Sequence, residues 1–229
     1  FNMRLEAPFK KLEKKRGDDR PYAPAELKYK DNAGEEVLLG LKIRLRGKYR
    51  AKKDVCRFPP FKLNFDKKGL KGTLFDGEDK LKLVTHCQRS KKYEQLVLLE
   101  YLSYRMQNQL TEYSLHARLA SVEYYDTDTK KIIDTKFGFF IEDKGRMAAR
   151  VDTETILTER IETGQYDQDI LHLATIFEYM IANTDFSVVL GPGDECCHNI
   201  IPLRTTTGVI VPVPYDFDGS GIVNPPYLS

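Results

Sequence analysis

The first half of the chain alternates hydrophobic and polar residues over several short segments. "AELKY" and "VLLGLKIRLRG" alternate, and "FKLNF" places Phe61, Leu63 and Phe65 on one side of a strand. "KLKLV" at residues 80–84 is another such segment. "ARLASVEYYD" and "KKIIDTKFGFFIED" alternate on either side of a polar linker, which predicts a hairpin. This period of two predicts a β-rich first half.

Three other parts of the chain have a different pattern. Residues 91–110 follow a three-four spacing of apolar positions without Gly or Pro, which predicts a long helix. Within residues 152–183, which are mostly helical in pattern, "DILHLATIFEYMIANT" predicts a buried helix, and "NIIPL" and "GVIVPV" after it predict a strand pair. Residues 1–24 are charged and weakly patterned, which is typical of a solvated arm or a short helix.

The order of these elements predicts an α+β, two-lobed protein-kinase-like fold. Residues 1–24 would form a charged N-terminal arm, and residues 25–143 a β-rich N-terminal lobe with one long helix. Residues 144–229 would form a helical C-terminal lobe that ends in a β-hairpin metal site. We expect this lobe to be incomplete, because the chain stops soon after the hairpin.

Composition and charge narrow the class of protein. With 41% hydrophobic and 31% charged residues the chain is globular, and its net charge of +2 creates no general attraction for nucleic acid. No apolar run reaches the roughly 18 residues that a membrane span needs. The charge is uneven, however, because residues 42–71 are strongly basic and residues 152–195 mostly acidic. This pattern favours an anionic ligand held through metal ions, with neither nucleic acid nor a membrane span.

Acidic and amide residues of the second half are candidate metal ligands. Asn199 opens the first strand of the predicted hairpin and Asp216 closes the second, so pairing would bring both to one end. Their oxygens suit Mg²⁺ that carries nucleotide phosphates. Asp185 follows the buried helix and could accept a proton from an attacking hydroxyl. Any one of them alone is as well explained as a turn or cap residue, but the ordered set favours a site.

Basic residues of the first half could bind the phosphates. Lys62 lies on the polar face of its strand, where a carboxylate of the long helix could hold it. Glu94, near the start of that helix, is favoured for this role, and Glu100 is the alternative. Arg44 and Arg46 share one face of their strand and could also contact phosphate. The plain alternative for Lys62 is an exposed strand lysine.

Several motifs resemble the CotH family of atypical, secretory-type protein kinases and, more distantly, HipA-like kinases. "LRGKYR" with "FPPFKLNF" resembles the family's Arg-Gly segment and Lys-bearing strand, and "TKFGFFIEDKGRMAAR" resembles its hairpin. "NTD", "HN" and "VPVPYDFDGSG" resemble its Asp, Asn and final aromatic-Asp motif. The similarity spans roughly residues 40–221.

The resemblance implies a phosphotransferase that uses ATP and Mg²⁺ or Mn²⁺ to transfer the γ-phosphate to a hydroxyl of an unidentified protein or small molecule. It implies Asp185 as the catalytic base and Asn199 and Asp216 as metal ligands; Asp218 is a further metal candidate with an open role. The nucleotide-binding candidates are Lys62, Glu94, Arg46 and Glu142, the last near the adenine. The family also favours a secreted or cell-envelope location.

The chain departs from common kinase patterns. Fourteen positions separate Asp185 from Asn199, which leaves Asp194 as a competing base, and no glycine-rich loop is present. An inactive kinase-like module that binds a divalent cation is therefore the alternative function. An EF-hand is disfavoured, because Tyr227 occupies the position that needs a Glu.

Four cysteines are present: Cys56, Cys87, Cys196 and Cys197. We expect Cys56 or Cys87 to bond one of the adjacent pair, because a bond within that pair is strained. A zinc site lacks a CxxC partner. Catalysis by Cys197 with His198 is disfavoured, because neighbouring side chains on a strand point apart.

Overall fold

Seven strands close into a barrel. The computed structural model describes residues 1–193 and 195–227. The barrel strands are β1 (Asn2–Ala7), β2 (Ala23–Lys30), β3 (Glu36–Leu45), β4 (Phe61–Phe65), β5 (Lys80–Val84), β6 (Ala117–Asp126) and β7 (Lys131–Ile141). Their order around the barrel is β1-β2-β3-β4-β5-β7-β6.

Alternation of apolar and polar residues explains these strands. In β4, Phe61, Leu63 and Phe65 are buried in the barrel core, while Lys62 and Asn64 on the other face are partly exposed. This is the arrangement that the sequence predicts for the segment. The predicted strand at residues 80–84 and the hairpin of β6 and β7 are also confirmed.

The first strand closes the barrel. β1 pairs antiparallel with β2 and parallel with β6, so that Met3 lies opposite both Tyr29 and Val122. Leu5 and Ala7 of β1 are fully buried. A short helix, α1 (Phe9–Leu12), follows and buries Phe9 against Phe58, Phe61 and Tyr124. The sequence predicts a solvated arm or short helix here; it misses β1 because its polar positions face outward and resemble a charged tail.

A long helix, α2 (Lys91–Leu110), has the predicted bounds. The chain divides into two compact units, and α2 contributes to both. The first unit comprises Phe1–Leu98 and Arg118–Ile141. The second comprises Leu99–Ala117 and the residues from Glu142 onward.

The second unit combines three strands with short helices. Its strands β8 (Thr153–Thr155), β9 (Ile200–Thr205) and β10 (Ile210–Pro214) form a sheet in the order β10-β9-β8. Its helices are the later part of α2, then α3 (Lys144–Arg150) and α4 (Gln168–Met180). Single 3-10 turns lie at Thr163–Gln165 and Phe217–Gly219. The stretch 152–183, predicted as mostly helical, is helical chiefly in α4.

The predicted two-lobed kinase-like fold is wrong. The strands of the first half form a closed barrel, because β1 joins both edges of the predicted open sheet. The second half is not a helical lobe, because within its described residues the α-helices after residue 142 are only the 7-residue α3 and the 13-residue α4. A strand, β8, stands where the sequence predicts helix.

The cysteine pairing also differs from the prediction. Cys56 bonds Cys87, and Cys196 bonds Cys197. Cys56 and Cys87 lie on neighbouring segments joined by a bridge between Phe58 and Cys87, with a Cα–Cα distance of 4.7 Å that suits a disulfide. Their partnership depends on tertiary structure and could not be read from spacing.

No helix within residues 1–193 and 195–227 is long and apolar enough to cross a membrane.

We expect Leu5→Ala to destabilise the protein by about 2–5 kcal/mol, because it removes a fully buried side chain from the strand that closes the barrel. The measurement is urea unfolding followed by circular dichroism. Asn2→Ala, at an exposed position of the same strand, is the control and should change the free energy of unfolding by less than about 0.5 kcal/mol. Equal stability of the two variants would contradict a closing role for β1.

Candidate functional site

The β9–β10 hairpin brings Asn199 and Asp216 to one end, as the sequence predicts. Pro214 pairs with Ile200, and the Tyr215 amide donates a hydrogen bond to the Asn199 carbonyl at 3.0 Å. Asn199 and Asp216 both have positive φ, 53° and 65°. Asn and Asp tolerate this left-handed conformation better than most residues, and here it turns the chain sharply at the end of the hairpin.

Asp185 joins this end of the hairpin through three hydrogen bonds. The Asn199 Nδ2 donates to the Asp185 carbonyl at 2.6 Å and to its Oδ2 at 3.1 Å. The His198 Nε2 lies 2.7 Å from Asp185 Oδ1. The Asp185 side chain is still 59% exposed. Its carboxylate is therefore held in orientation by two neighbours and remains open to solvent.

A local loop explains the long spacing between Asp185 and Asn199. Ser187 and His198 form an antiparallel bridge, with backbone hydrogen bonds of 2.9 and 3.1 Å. The intervening residues leave and return at this bridge, so the spacing does not separate the two site residues. Asp194, the competing base, lies outside the described residues.

A buried glutamate, Glu178, is linked to the Asp185 segment through Asn183. The Asn183 side chain donates to Glu178 Oε2 at 2.9 Å and accepts from the Asp185 amide at 3.1 Å. Glu178 is fully buried on α4, and its Oε1 has no hydrogen-bond partner among the described residues. Burial raises the pKa of Glu178 to about 7, and the nearby Asp185 charge adds to this rise. The sequence pattern does not single out Glu178, because a glutamate inside an apolar helix pattern is typical of a solvent-facing residue.

The "DFDGSG" motif is anchored by its aromatic residue. Phe217 is fully buried, and its ring lies 4.7 Å from that of Tyr104 on α2 and 5.5 Å from that of Phe177 on α4. The Tyr104 hydroxyl also accepts a hydrogen bond from the Asp216 amide at 3.0 Å. Two helices of the second unit thus fix the backbone that carries Asp216.

The glycine at the end of the motif connects it to the Asp185 segment. The Gly221 amide donates to the Ala182 carbonyl at 2.8 Å, and a Cβ on Gly221 would lie 2.6 Å from the Ala182 Cβ. Only glycine permits this approach without a shift of one segment. Asp185 and Asp216 therefore lie on two segments in direct contact.

The Glu142 carboxylate is hydrogen-bonded to other residues of the chain. Its carboxylate accepts hydrogen bonds from Arg150 at 3.0 and 3.1 Å and from the His116 amide at 2.9 Å. Arg150 also donates to the Glu112 and Ser114 carbonyls. Together these hydrogen bonds join α3, the end of β7 and the segment after α2. The predicted position of Glu142 near an adenine stays a prediction.

The predicted phosphate-binding residues lie in the first unit. Lys62 stands in register between Arg44 on β3 and Lys82 on β5, which makes a row of three cations across adjacent strands. The Arg44 guanidinium lies over the Tyr22 ring, 4.8 Å from its centroid. Lys82 was missed, although its position in "KLKLV" places it on the polar face.

Glu94 and Arg46 have local roles in the same unit. Glu94 forms an ion pair with Lys136 at 3.5 Å and accepts from the Phe137 amide at 2.9 Å, so it joins α2 to β7. The Arg46 amide donates to the Pro60 carbonyl. The predicted pair of Glu94 with Lys62 and the phosphate contact of Arg46 stay predictions.

The candidate metal ligands at the hairpin end are an amide and carboxylates. Across residues 1–193 and 195–227, no group of three or more His, Cys, Asp or Glu side chains is arranged to hold a metal ion. Asn199 uses its Nδ2 on Asp185, which leaves its Oδ1 as the atom for a cation. Asp218 lies in the 3-10 turn directly after Asp216. An amide oxygen and carboxylates fit Mg²⁺ or Mn²⁺ better than zinc.

Thiol chemistry is not available at Cys197. Cys197 is bonded to Cys196, and no described cysteine is free. The Cys197–His198 nucleophile is therefore removed from consideration.

Comparison of the chain with protein-family models, curated proteins and solved structures finds no match. The resemblance to CotH-type kinases thus rests on the quoted motifs alone.

We expect Gly221→Ala to destabilise the protein by about 1–3 kcal/mol, because the added methyl group overlaps Ala182. The measurement is urea unfolding. Gly164→Ala is the control, since nothing lies within 4 Å of its added carbon. The second change Ala182→Gly should restore part of the loss in the Gly221→Ala background. If Gly164→Ala and Gly221→Ala behave alike, the close contact does not hold the two segments.

We expect the stability of the protein to depend on pH through Glu178. The raised pKa of Glu178 means that the folded chain binds more protons than the unfolded chain between about pH 4.5 and pH 7. Its contribution to stability is present below pH 4.5 and is lost as pH rises through 7. Relative to Glu178→Gln, the wild type should lose on the order of 3 kcal/mol between pH 4.5 and pH 8.

Urea unfolding of both proteins across this pH range measures that difference. Glu159→Gln reports the effect of removing one exposed carboxylate. A difference between wild type and Glu178→Gln that stays constant with pH would contradict a buried, protonated Glu178.

Proposed function

We propose that this chain is a phosphotransferase that uses ATP and Mg²⁺ or Mn²⁺, with Asp185 as the group that accepts a proton from the acceptor hydroxyl. The observation that carries the proposal is the hydrogen-bonded set of Asp185, His198 and Asn199 at the hairpin end that also carries Asp216. A proton acceptor beside hard oxygen ligands is the pair of functions that phosphoryl transfer needs.

Asp185 suits the role of base for two reasons. Its carboxylate is more than half exposed, so a hydroxyl can reach it. Asn199 and His198 also hold each of its oxygens in a fixed orientation, which lowers the entropy lost when an acceptor is aligned. His198 and Asn183 are positioning residues in this proposal, because they act through Asp185.

The metal would be held by Asn199 Oδ1 and the Asp216 carboxylate, with Asp218 as a third candidate. When bound, the divalent cation neutralises charge on the transferred phosphoryl group. Lys62, in register with Arg44 and Lys82 on one sheet of the first unit, stays a candidate for phosphate binding. Arg46, Glu94 and Glu142 remain nucleotide-binding candidates.

A second candidate function is a binding module without transfer. Both oxygens of Asp185 already accept hydrogen bonds from the chain itself, which is also what a purely structural carboxylate does. In this alternative the hairpin end binds a divalent cation and no phosphoryl group moves.

A secreted or cell-envelope location is part of the proposal. The disulfide between Cys56 and Cys87 supports it, because such bonds persist in oxidising compartments. The acceptor is a hydroxyl compound, either a protein side chain or a small molecule.

We expect ATP to raise the melting temperature of the wild type only when Mg²⁺ or Mn²⁺ is present. Asp216→Ala should lose this metal-dependent shift, because it removes a metal ligand. Asp169→Ala, which removes an exposed carboxylate at the start of α4, is the control and should keep it. The absence of any metal-dependent shift in the wild type would refute the nucleotide proposal.

We expect Asp185→Asn to keep metal-dependent ATP binding and to lose transfer by about 10²–10⁴-fold. The amide keeps one accepting oxygen, replaces the other with a donating NH2 group, and is not a base. Release of ADP from ATP, with and without candidate hydroxyl acceptors, measures transfer. ATP binding without turnover in the wild type supports the binding module, and retained turnover in Asp185→Asn removes Asp185 from the role of base.

A further inference from the structure

A large basic cavity lies in the first unit, and nothing in the proposed function uses it. Its volume is about 1260 Å³, and it is bounded by α1 with the residues after it, by the segment 53–58, by residues 86–89 and by the start of β7. Six cationic side chains line it against three acidic ones. The cations are Lys10, Lys14, Arg16, Lys53, Arg57 and Arg89.

One arginine builds the wall of this cavity. The Arg16 guanidinium donates to the carbonyls of Cys56 and Arg57, each at 2.6 Å, and to that of Ala51 at 3.1 Å. It therefore closes the 51–57 loop onto the segment after α1 and adds a fixed positive charge. With a further bond from its Nε to the Glu13 carbonyl, four of the five N–H groups of Arg16 donate to backbone carbonyls, so Arg16 mainly shapes the cavity and leaves most ligand contacts to other residues.

A disulfide and two hydrogen bonds fix another part of the cavity wall, where residues 55–58 meet residues 87–88. Cys56 is bonded to Cys87, the Phe58 amide donates to the Cys87 carbonyl at 2.9 Å, and the Gln88 side chain donates to the Val55 carbonyl at 2.9 Å. These cross-links hold Arg57 and Arg89 on segments tied to each other. A cavity fixed before binding loses less conformational entropy when a ligand enters.

Three cations at the cavity have no direct hydrogen-bond or ion-pair partner among the described residues. The side chains of Lys53, Arg57 and Arg89 make no hydrogen bond, and no ion pair within 4 Å, with any residue in 1–193 or 195–227. Cations around a concave surface reinforce one another's positive potential. Arginines in particular match the geometry of phosphate and sulfate oxygens.

An unsatisfied group lies at the floor of the cavity. His86 is 1% exposed, its ring stacks on Phe58 at 4.9 Å, and its Nδ1 has no hydrogen-bond partner among the described residues. Nearly all buried polar atoms in proteins have a hydrogen-bond partner, so this nitrogen is an exception at the edge of the cavity. This observation is independent of the charge count and is compatible with a ligand that has polar groups.

We propose that this cavity binds a small molecule carrying two or more phosphate or sulfate groups, contacted by Arg57, Arg89 and Lys53. The size favours several charged groups over one, because pockets for ordinary small molecules measure about 300–1,000 Å³. The acidic residues Glu13, Asp54 and Asp134 add hydrogen-bond acceptors for hydroxyl groups on the same molecule. The site is independent of the phosphotransferase proposal.

Isothermal titration of the full chain with tripolyphosphate tests the proposal, at an ionic strength of about 0.1 M, where charges outside the cavity are screened, and in buffer free of divalent metals. We expect the double variant Arg57→Gln, Arg89→Gln to bind at least about tenfold more weakly than the wild type. The double variant Lys30→Gln, Lys71→Gln removes the same charge at exposed positions outside the cavity, and should stay within about twofold. Asp216→Ala should also bind like the wild type, which separates this site from the nucleotide site.

Sucrose octasulfate, titrated in parallel, distinguishes a sulfated ligand from a phosphorylated one. Binding of either probe that depends on Arg57 and Arg89 supports the site and identifies its chemistry. Absence of binding by the wild type, or an equal loss in the Lys30, Lys71 variant, overturns it. Circular dichroism of each variant confirms that a loss of affinity does not come from unfolding.

Discussion

The pairing of β1 with both β2 and β6 is the constraint on which the first unit depends. A strand at the edge of a sheet exposes a row of unsatisfied backbone groups, and closure removes both edges at once. Here the chain's first strand satisfies β2 on one side and β6, more than a hundred positions away, on the other. The buried aromatic residues and the wall of the basic cavity are organised around the closed barrel and the helix that follows β1.

The second unit depends on contacts between short segments. Its site residues lie at a hairpin end, behind α4 and before a 3-10 turn, and none of these elements is long. Two residues hold these elements together. Phe217 packs its ring between α2 and α4, and Gly221, which has no side chain, allows its segment to approach Ala182 closely. Precise placement of polar groups can therefore arise in a small unit without an extensive helical scaffold.

Local pattern predicts the local elements of this protein well. Alternation located β4 and β5, the three-four spacing located α2, and strand pairing placed Asn199 beside the end of β10. The features that the sequence did not predict depend on residues that are distant in the chain or come together only in the fold. β1 is a strand because it pairs with β2 and β6. Cys56 bonds Cys87 because their loops are adjacent in the fold. Glu178 is buried on α4, where the Asn183 side chain donates a hydrogen bond to it.

The two-lobed interpretation failed for a related reason. The order of strands and helices in a sequence is compatible with an open sheet and with a closed barrel, and only the pairing partner of the first strand decides between them. The placement of the polar groups at the hairpin end does not depend on whether the sheet of the first unit is open or closed, because their contacts are made within the second unit.

The bridge between Ser187 and His198 has a consequence for how such sites vary. Since both ends of the intervening segment meet at this bridge, the bridge and not the number of intervening residues sets the distance between the polar groups on either side. Chains that share this arrangement of groups could then differ widely in the interval between the Asp and the Asn. A search for relatives that insists on a constant interval would miss them, whereas one that asks for a closing bridge followed by His-Asn would not.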